Sequence, residues 1–278
     1  MSSAPVNRIL EHTLVDGPGN RSIVFLQGCN IGCRYCHNPE TQRLCSGCGI
    51  CVERCPAGAL SLQEGAVTWE AALCTKCDTC IHVCPHYSSP KVVWRSAEEV
   101  FREIDRNRPF IRGITVSGGE CSLYLPFVRE LFERCQAVGL GCLMDSNGTV
   151  PLWNEPVMEV CDGVMLDVKA WEEGYFHRLT GGQNEVVKEN LRRLSEMDKL
   201  EELRIVCLKG YVDAEQVIRE TARLLPQEIR QKTLLKLIRF RSVGVRGELA
   251  QTPAPGLPYM EGLSRLAASC GYEKIRIV

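Results

Sequence analysis

The chain has 278 residues, 17 of them cysteines, and its 33 Lys and Arg nearly balance 34 Asp and Glu. A net charge of -1 gives no basic surface for nucleic acid, no apolar run approaches the ~18 residues of a membrane span, and no secretory leader is recognisable. We therefore expect a cytoplasmic protein, where thiols stay reduced, and a chain this long needs no disulfides to hold its core. The cysteines are predicted to be metal ligands, catalytic groups or buried apolar residues.

The first predicted element, a strand over residues 21–27, ends at a loop that carries three cysteines. Cys29, Cys33 and Cys36 have the spacing C-x3-C-x2-C. Three thiolates leave one iron of a four-iron cluster without a protein ligand, much as catalytic zinc sites keep one position for substrate. The loop is predicted to hold an open [4Fe–4S] cluster; the alternative is three buried cysteines at the start of a helix.

A cysteine-rich insert over residues 43–89 contains the same short sequence unit twice. Each unit has the form C-x2-C-x2-C-x3-C-P, the pattern of bacterial ferredoxins in which the fourth cysteine binds the other cluster. The two predicted [4Fe–4S] ligand sets are Cys45, Cys48, Cys51 and Cys84 for one cluster, and Cys55, Cys74, Cys77 and Cys80 for the other. A pair of zinc knuckles is the alternative, because C-x2-C pairs also bind zinc.

After the insert, helix and strand patterns alternate. Ser96 and Glu99 form a capping box at the start of a helix. Further strands are predicted over 113–117, 141–145, 163–169, 203–208, 233–240 and 274–278, and helices over 122–138, 151–160, 184–197, 214–225 and 258–270. This order predicts an α/β fold, a partial (β/α)6-type barrel of residues 1–42 and 90–278 with an inserted ferredoxin-like domain at 43–89.

Polar residues and glycines follow successive predicted strands. They are Gly118, Gly119 and Glu120, then Asp145 and Ser146, then Asp167 and Lys169, with Arg204 on the next strand. Because chemistry in parallel α/β barrels collects at the carboxyl ends of strands, their joint placement predicts one polar site. Taken singly, each has a plainer explanation: a turn for Gly-Gly-Glu, an internal ion pair for Asp167 with Lys169, and a structural cation for Arg204.

The three-cysteine loop together with Gly-Gly-Glu resembles the radical S-adenosylmethionine (SAM) enzymes. The sequences VDGPG at 15–19 and FLQGC at 25–29 are similar to the opening of the glycyl radical enzyme activating enzymes, and the insert is similar to that of the larger members. With residues 114–120, 145–148 and 161–171, the chain most resembles the YjjW-type activases. The resemblance covers essentially the whole chain and is looser in its last third.

The resemblance implies roles for individual residues. The cluster of Cys29, Cys33 and Cys36 would bind the amino and carboxylate groups of SAM. Further SAM contacts would come from Tyr35, Gly118, Gly119, Glu120, Ser146, Lys169 and Arg204. A monovalent cation would lie on Asp145, Ser146, Met165 and Asp167, and the target glycine loop would meet Asp16. Arg241 stands where the family often has a histidine that contacts SAM, so its role is open.

The implied reaction is reductive cleavage of SAM to methionine and a 5′-deoxyadenosyl radical, which removes hydrogen from a glycine Cα of a partner glycyl radical enzyme. The two insert clusters would carry electrons to the open cluster, with flavodoxin or ferredoxin as donor. The resemblance further implies a monomer.

Three other functions stay open on the sequence. A radical SAM enzyme for a small molecule or another peptide is disfavoured by residues 15–19. A non-catalytic iron–sulfur electron carrier or redox sensor explains the insert but not the three-cysteine loop, and a zinc-binding module is the third. The six remaining cysteines are expected to pack in the core, and Cys121, beside Glu120, is the one candidate among them for radical chemistry.

Overall fold

The computed structural model describes residues 2–278, and its main element is a nine-stranded sheet. The strands are β1 (Ser3–Thr13), β2 (Arg21–Leu26), β3 (Leu60–Gln63), β4 (Ala66–Trp69), β5 (Val93–Ser96), β6 (Gly113–Gly118), β7 (Gly141–Ser146), β8 (Gly163–Asp167), β9 (Leu200–Cys207), β10 (Leu234–Arg239) and β11 (Lys274–Ile277). The helices are α1 (Thr79–His82), α2 (Ala97–Asp105), α3 (Leu125–Gln136), α4 (Glu173–Thr180), α5 (Glu185–Glu196), α6 (Ala214–Leu224), α7 (Gln227–Lys232) and α8 (Leu257–Ser269).

Seven strands of the main sheet are parallel, which confirms the predicted α/β architecture. The strand order is β11-β10-β9-β8-β7-β6-β2-β1-β5, and β1 pairs antiparallel with both β2 and β5. The hairpin β3–β4 lies outside it. Because β2 and β6 to β10 are parallel, their carboxyl ends meet at the same edge of the sheet, where a site is expected.

The core follows from apolar strands covered by helices. All six residues of β2 are buried, as expected for a parallel strand covered on both faces. Helix α3 places Phe127, Leu131 and Phe132 in the core, and Ser96 caps α2 with the reciprocal bonds to Glu99 that the capping box predicts. Within the described residues, no helix is long and apolar enough to cross a membrane.

Two predicted helices differ in the structure. The helix predicted over 151–160 is wrong: only Pro156–Glu159 forms a short 3-10 turn, since proline removes a backbone donor there. The helix predicted from residue 122 begins at Leu125, because Cys121–Tyr124 first forms a 3-10 turn.

The insert begins and ends at one place. The Arg43 N–H donates to the Tyr87 carbonyl, over 3.1 Å, so the two ends of the segment touch. Between them lie β3, β4 and α1, with a small buried cluster of Cys51, Leu60 and Cys80 that is separate from the main core. The domain limits at residues 43 and 89 stay a prediction, with which this arrangement agrees.

Candidate active site

A cavity of about 200 Å³ lies at the carboxyl ends of the parallel strands. It brings together Cys29, Cys33, Tyr35, Cys36, Gly118, Gly119, Glu120, Asp145, Ser146, Asp167, Lys169 and Arg204. Met165, Asp16 and Arg241 do not line the cavity, although Met165 contacts Arg204, which does. The structure thus gathers nearly all of the predicted cofactor-binding side chains around one space.

The three-cysteine loop is held by backbone hydrogen bonds on both sides. The Cys29 N–H donates to the Gln42 carbonyl, and the Arg34 N–H donates to the Leu179 carbonyl, each over 2.9 Å. Leu179 belongs to α4, a helix that the sequence did not predict. The loop is therefore positioned by main-chain bonds that do not depend on its thiols.

Burial changes the acidity of the three thiols. It raises the pKa of Cys29 to about 11 and of Cys33 to about 12, and it also raises the pKa of Cys36. Such thiols keep their protons at neutral pH unless a cationic group binds them as thiolates. A donor set of three sulfur atoms around a polar cavity fits an iron–sulfur cluster.

Gly118 and Gly119 are required by close packing of the chain. A Cβ on Gly118, whose φ is +127°, would lie 2.2 Å from the Leu26 backbone, and one on Gly119 would lie 2.1 Å from the Gly28 carbonyl oxygen. Glycine permits both approaches. The two residues therefore let the end of β6 press against the start of the cysteine loop.

Glu120 joins the ends of β6 and β7. Its carboxylate, which is only 1% exposed, accepts hydrogen bonds from the Ser122 N–H (3.0 Å), the Ser146 hydroxyl (2.8 Å) and the Asn147 N–H (2.7 Å). A carboxylate offers about four acceptor positions, so these three bonds leave Glu120, which lines the cavity, room for a further donor. Glu120 can hold its own loop and still accept a bond from a ligand amine.

Lys169 and Asp167 form the ion pair that the sequence left open as an alternative. Lys169 Nζ lies 3.0 Å from Asp167 Oδ2 and 5.6 Å from the centre of the Tyr35 ring. Burial alone would lower the pKa of Lys169, but the Asp167 carboxylate, together with Tyr35 and Cys33, outweighs it and raises that pKa well above the ordinary value. Lys169 is therefore a cation at neutral pH.

The Tyr35 hydroxyl is buried and has no hydrogen-bond partner within residues 2–278. An unpaired buried hydroxyl is unfavourable, and here it belongs to a side chain that lines the cavity. This fits a polar ligand such as SAM, whose adenine the resemblance puts beside Tyr35.

Arg204 contacts two of the residues that are predicted to bind a monovalent cation. Its guanidinium donates to Asp145 Oδ1 (3.0 Å) and to Met165 Sδ (2.9 Å), while Ser146 donates to Glu120. Burial raises the pKa of Asp145 to about 6, and the charge of Arg204 opposes that rise. A guanidinium lies between two of the four residues, so a cation at the predicted site would compete with Arg204 for Asp145.

The eight insert cysteines surround two small cavities. One is lined by Cys45, Cys48, Cys51 and Cys84, and also by Cys80; the other is lined by Cys55, Cys74, Cys77 and Cys80. Each cavity combines cysteines of both units, as the ferredoxin pattern predicts. Among the described residues, no three His, Cys, Asp or Glu side chains lie close enough to hold a single metal ion.

Sequence reasoning missed polar residues of the cavity wall, such as Ser117 and Asn147, and two charged residues that lie beside the cavity without lining it. Glu202 and Lys236 are buried and contact Arg204 or each other from β9 and β10. A charged residue inside an otherwise apolar strand is the signal that could have found Lys236. Glu202 lay outside the strand predicted from residue 203.

Comparisons with known proteins agree with this site. The family model of the Radical SAM superfamily matches residues 23–225. A putative glycyl-radical enzyme activating enzyme of Haemophilus influenzae is 30% identical, over 98% of this chain and 95% of its own. The choline trimethylamine-lyase activating enzyme of Oleidesulfovibrio alaskensis is 31% identical, over 87% and 85%. The indoleacetate decarboxylase activating enzyme of Tractidigestivibacter scatoligenes is 32% identical, over 73% of each chain.

Solved structures support the same fold. QueE from Escherichia coli aligns with a TM-score of 0.58 at 16% identity, over 99% of this chain and 94% of its own. A domain of the pyruvate-formate lyase-activating enzyme of Bacteroides vulgatus aligns with a TM-score of 0.50 at 21% identity, over 60% and 98%. The fold and the cysteine-lined cavity define a radical SAM enzyme. With its relatives, the chain belongs to the glycyl-radical enzyme activating enzymes of that superfamily. The YjjW-type subgroup stays a prediction.

Proposed function

We propose that the protein activates a glycyl radical enzyme by removing a hydrogen atom from a glycine Cα of that partner. The observation that carries the proposal is the shared cavity of the three-cysteine loop and the polar strand ends. Relatives named as activating enzymes, matched over most of the chain, give it a partner class.

In this proposal Cys29, Cys33 and Cys36 hold a [4Fe–4S] cluster. When bound, such a cluster with SAM supplies one-electron cleavage of SAM to methionine and a 5′-deoxyadenosyl radical. The surrounding side chains bind and orient SAM. Glu120 accepts from its amino group, and Lys169, as a buried cation, pairs with its carboxylate.

Three further side chains complete the SAM site that we propose. Tyr35 lies beside the adenine, and its free hydroxyl donates to a polar atom of the ligand. Ser146 and Arg204 contact SAM from β7 and β9, which is in keeping with their place on the cavity wall. Their hydrogen bonds to Glu120 and Asp145 hold them in place before the ligand binds.

The insert, residues 43–89, is proposed as a ferredoxin-like domain with two closed [4Fe–4S] clusters, which makes three clusters in all. The two cysteine-lined cavities support this. Closed clusters suit electron transfer, so a flavodoxin or ferredoxin would reduce them first. We further propose a cytoplasmic monomer.

The partner glycine loop is proposed to dock at Asp16. This residue lies in the bend between β1 and β2, and its carboxylate accepts a bond from the Thr13 hydroxyl over 2.7 Å. The bend is thus shaped by its own side chains before any partner arrives.

The test combines the reduced protein, SAM and a purified glycyl radical enzyme of the same organism under anaerobic conditions. We expect 5′-deoxyadenosine and a glycyl radical signal in electron paramagnetic resonance. Cys33→Ser should abolish both, whereas Cys270→Ser, a matched change outside the cysteine clusters, should preserve them. If 5′-deoxyadenosine forms but no candidate partner gains a radical, the activase function is wrong and a small-molecule substrate gains support.

A further inference from the structure

A chain of buried charged side chains runs from the wall of the cavity to the bend that carries Asp16. Asp145 Oδ1 lies 3.0 Å from Arg204 Nη1, and Arg204 Nε lies 2.7 Å from Glu202 Oε2. The same Glu202 oxygen lies 2.7 Å from Lys236 Nζ. We refer to these four side chains, Asp145, Glu202, Arg204 and Lys236, as the buried ion network.

The network ends on the backbone of the bend. Lys236 Nζ donates to the Val15 carbonyl over 3.0 Å, and the Thr115 hydroxyl donates to the Asp16 carbonyl over 2.7 Å. Both bonds reach across the fold, from β10 and from β6. The bend is therefore fixed from its inner side by two side chains of distant strands.

The outer side of the same bend faces solvent. The side chains of Leu14 and Val15 are 73% and 69% exposed, although both are apolar. A backbone held firmly from within, with apolar side chains pointing outward, is a preorganised contact surface.

The charges of the network balance, which explains why it can be buried. Arg204 and Lys236 carry two positive charges, and Glu202 and Asp145 offset them with two carboxylates. Buried ions are tolerated only when paired and hydrogen-bonded in this way. Glu202 and Lys236 do not line the cavity, and Lys236 reaches the bend through its bond to Val15.

We infer that Lys236, held by Glu202, is a positioning residue that fixes the bend at residues 13–17 for the partner's glycine segment. The inference rests on the proposed function for the identity of the partner. The geometry of the bond to Val15 stands independently of it.

The test uses the double variant Lys236→Met with Glu202→Gln in the cluster-loaded enzyme. Removing both charges together leaves no unpaired buried ion, and the glutamine oxygen can still accept from Arg204. Lys236→Arg keeps the charge and should restore the bond in part. Lys199→Met is the matched control, because Lys199 also donates to a backbone carbonyl, that of Cys161 over 2.6 Å, away from the bend.

Two readouts separate positioning from general damage. Amide hydrogen exchange at residues 13–17 should become about tenfold faster in the double variant, with the core unchanged. The KM for the glycyl radical enzyme should rise about tenfold, while the SAM dissociation constant and partner-free 5′-deoxyadenosine formation change by less than about twofold. Lys199→Met should change none of these.

Unchanged exchange at residues 13–17 together with an unchanged partner KM in the double variant would overturn the inference. If the unmodified enzyme generates no glycyl radical at all, the proposed function fails instead. In that case the exchange measurement alone decides whether Lys236 positions the bend.

Discussion

Arg204 is the side chain around which the charges of the cavity are arranged. It pairs with Asp145 and Glu202 and also contacts the sulfur atom of Met165. These two carboxylates, with burial opposing them, raise its pKa above the ordinary value, so it stays protonated. This places a permanent positive charge next to the residues for which the sequence predicts a monovalent cation.

This arrangement predicts that SAM binding does not depend on monovalent cations. Replacing K⁺ by choline should change the SAM dissociation constant by less than about twofold, because a second cation beside the guanidinium would be repelled. Arg204→Gln should weaken SAM binding by roughly tenfold and make it sensitive to K⁺. The measurement is equilibrium binding of SAM at constant ionic strength. A K⁺ requirement in the unmodified protein would contradict this.

The polar residues at strand ends could be foreseen because position in an α/β sheet and family resemblance both point to them. The contacts within the buried ion network could not be foreseen from the sequence. Arg204 lies beside Asp167 and Lys236 through strand register, and those partners are 37 and 32 residues away along the chain. Which buried charges meet depends on how strands align, and a single sequence does not display that.

At the scale of elements, an arginine outside the insert is one of the residues that tie the insert to the rest of the molecule. Arg246 donates to the carbonyls of Cys84 (2.9 Å) and Ile81, and its guanidinium lies 5.3 Å from the centre of the Tyr87 ring. Cys84 and Ile81 belong to the insert, whereas Arg246 comes from the last third of the chain. The arginine thus holds a predicted cluster ligand in position from outside the insert.

Arg246→Ala is expected to loosen the insert without unfolding the barrel. Losing two charged hydrogen bonds should speed limited proteolysis within residues 43–89 roughly tenfold. Arg223→Ala, on the surface of α6, serves as the control and should cleave at the normal rate. Mass spectrometry of the fragments reports the cut sites. Equal cleavage rates in both variants would show that Arg246 does not hold the insert.

The elements that the sequence predicted well have continuous apolar patterns or an explicit cap, such as β2 and α2. Strand β1 was missed because most of its residues beyond Val6 are not buried, so it shows no apolar run. Helix α4 was missed because it has only eight residues, three of them buried, and no side-chain cap. Both are needed: β1 leads into the bend at Asp16, and α4 supports the cysteine loop.

For the whole molecule, the arrangement of cysteines predicts iron content. The loaded protein should carry about 12 irons, and replacing Cys45, Cys48 and Cys51 by Ala should leave about 8. Adding Cys84→Ala to that variant should remove no more iron, whereas adding Cys55→Ala should lower the iron content below about 8, because Cys55, unlike Cys84, is a predicted ligand of the remaining insert cluster. Iron analysis after anaerobic reconstitution decides this. Equal losses from both additions would refute the crossed pairing.

The contact between Arg43 and Tyr87 has a consequence for how such a protein can evolve. Since the inserted segment starts and finishes at one point, its gain, loss or exchange would leave the strand order of the main sheet intact. Selection could then alter the electron transfer that we propose for the insert while the chemistry in the cavity stays the same. The insert and the cavity would be inherited together, but each could diverge on its own.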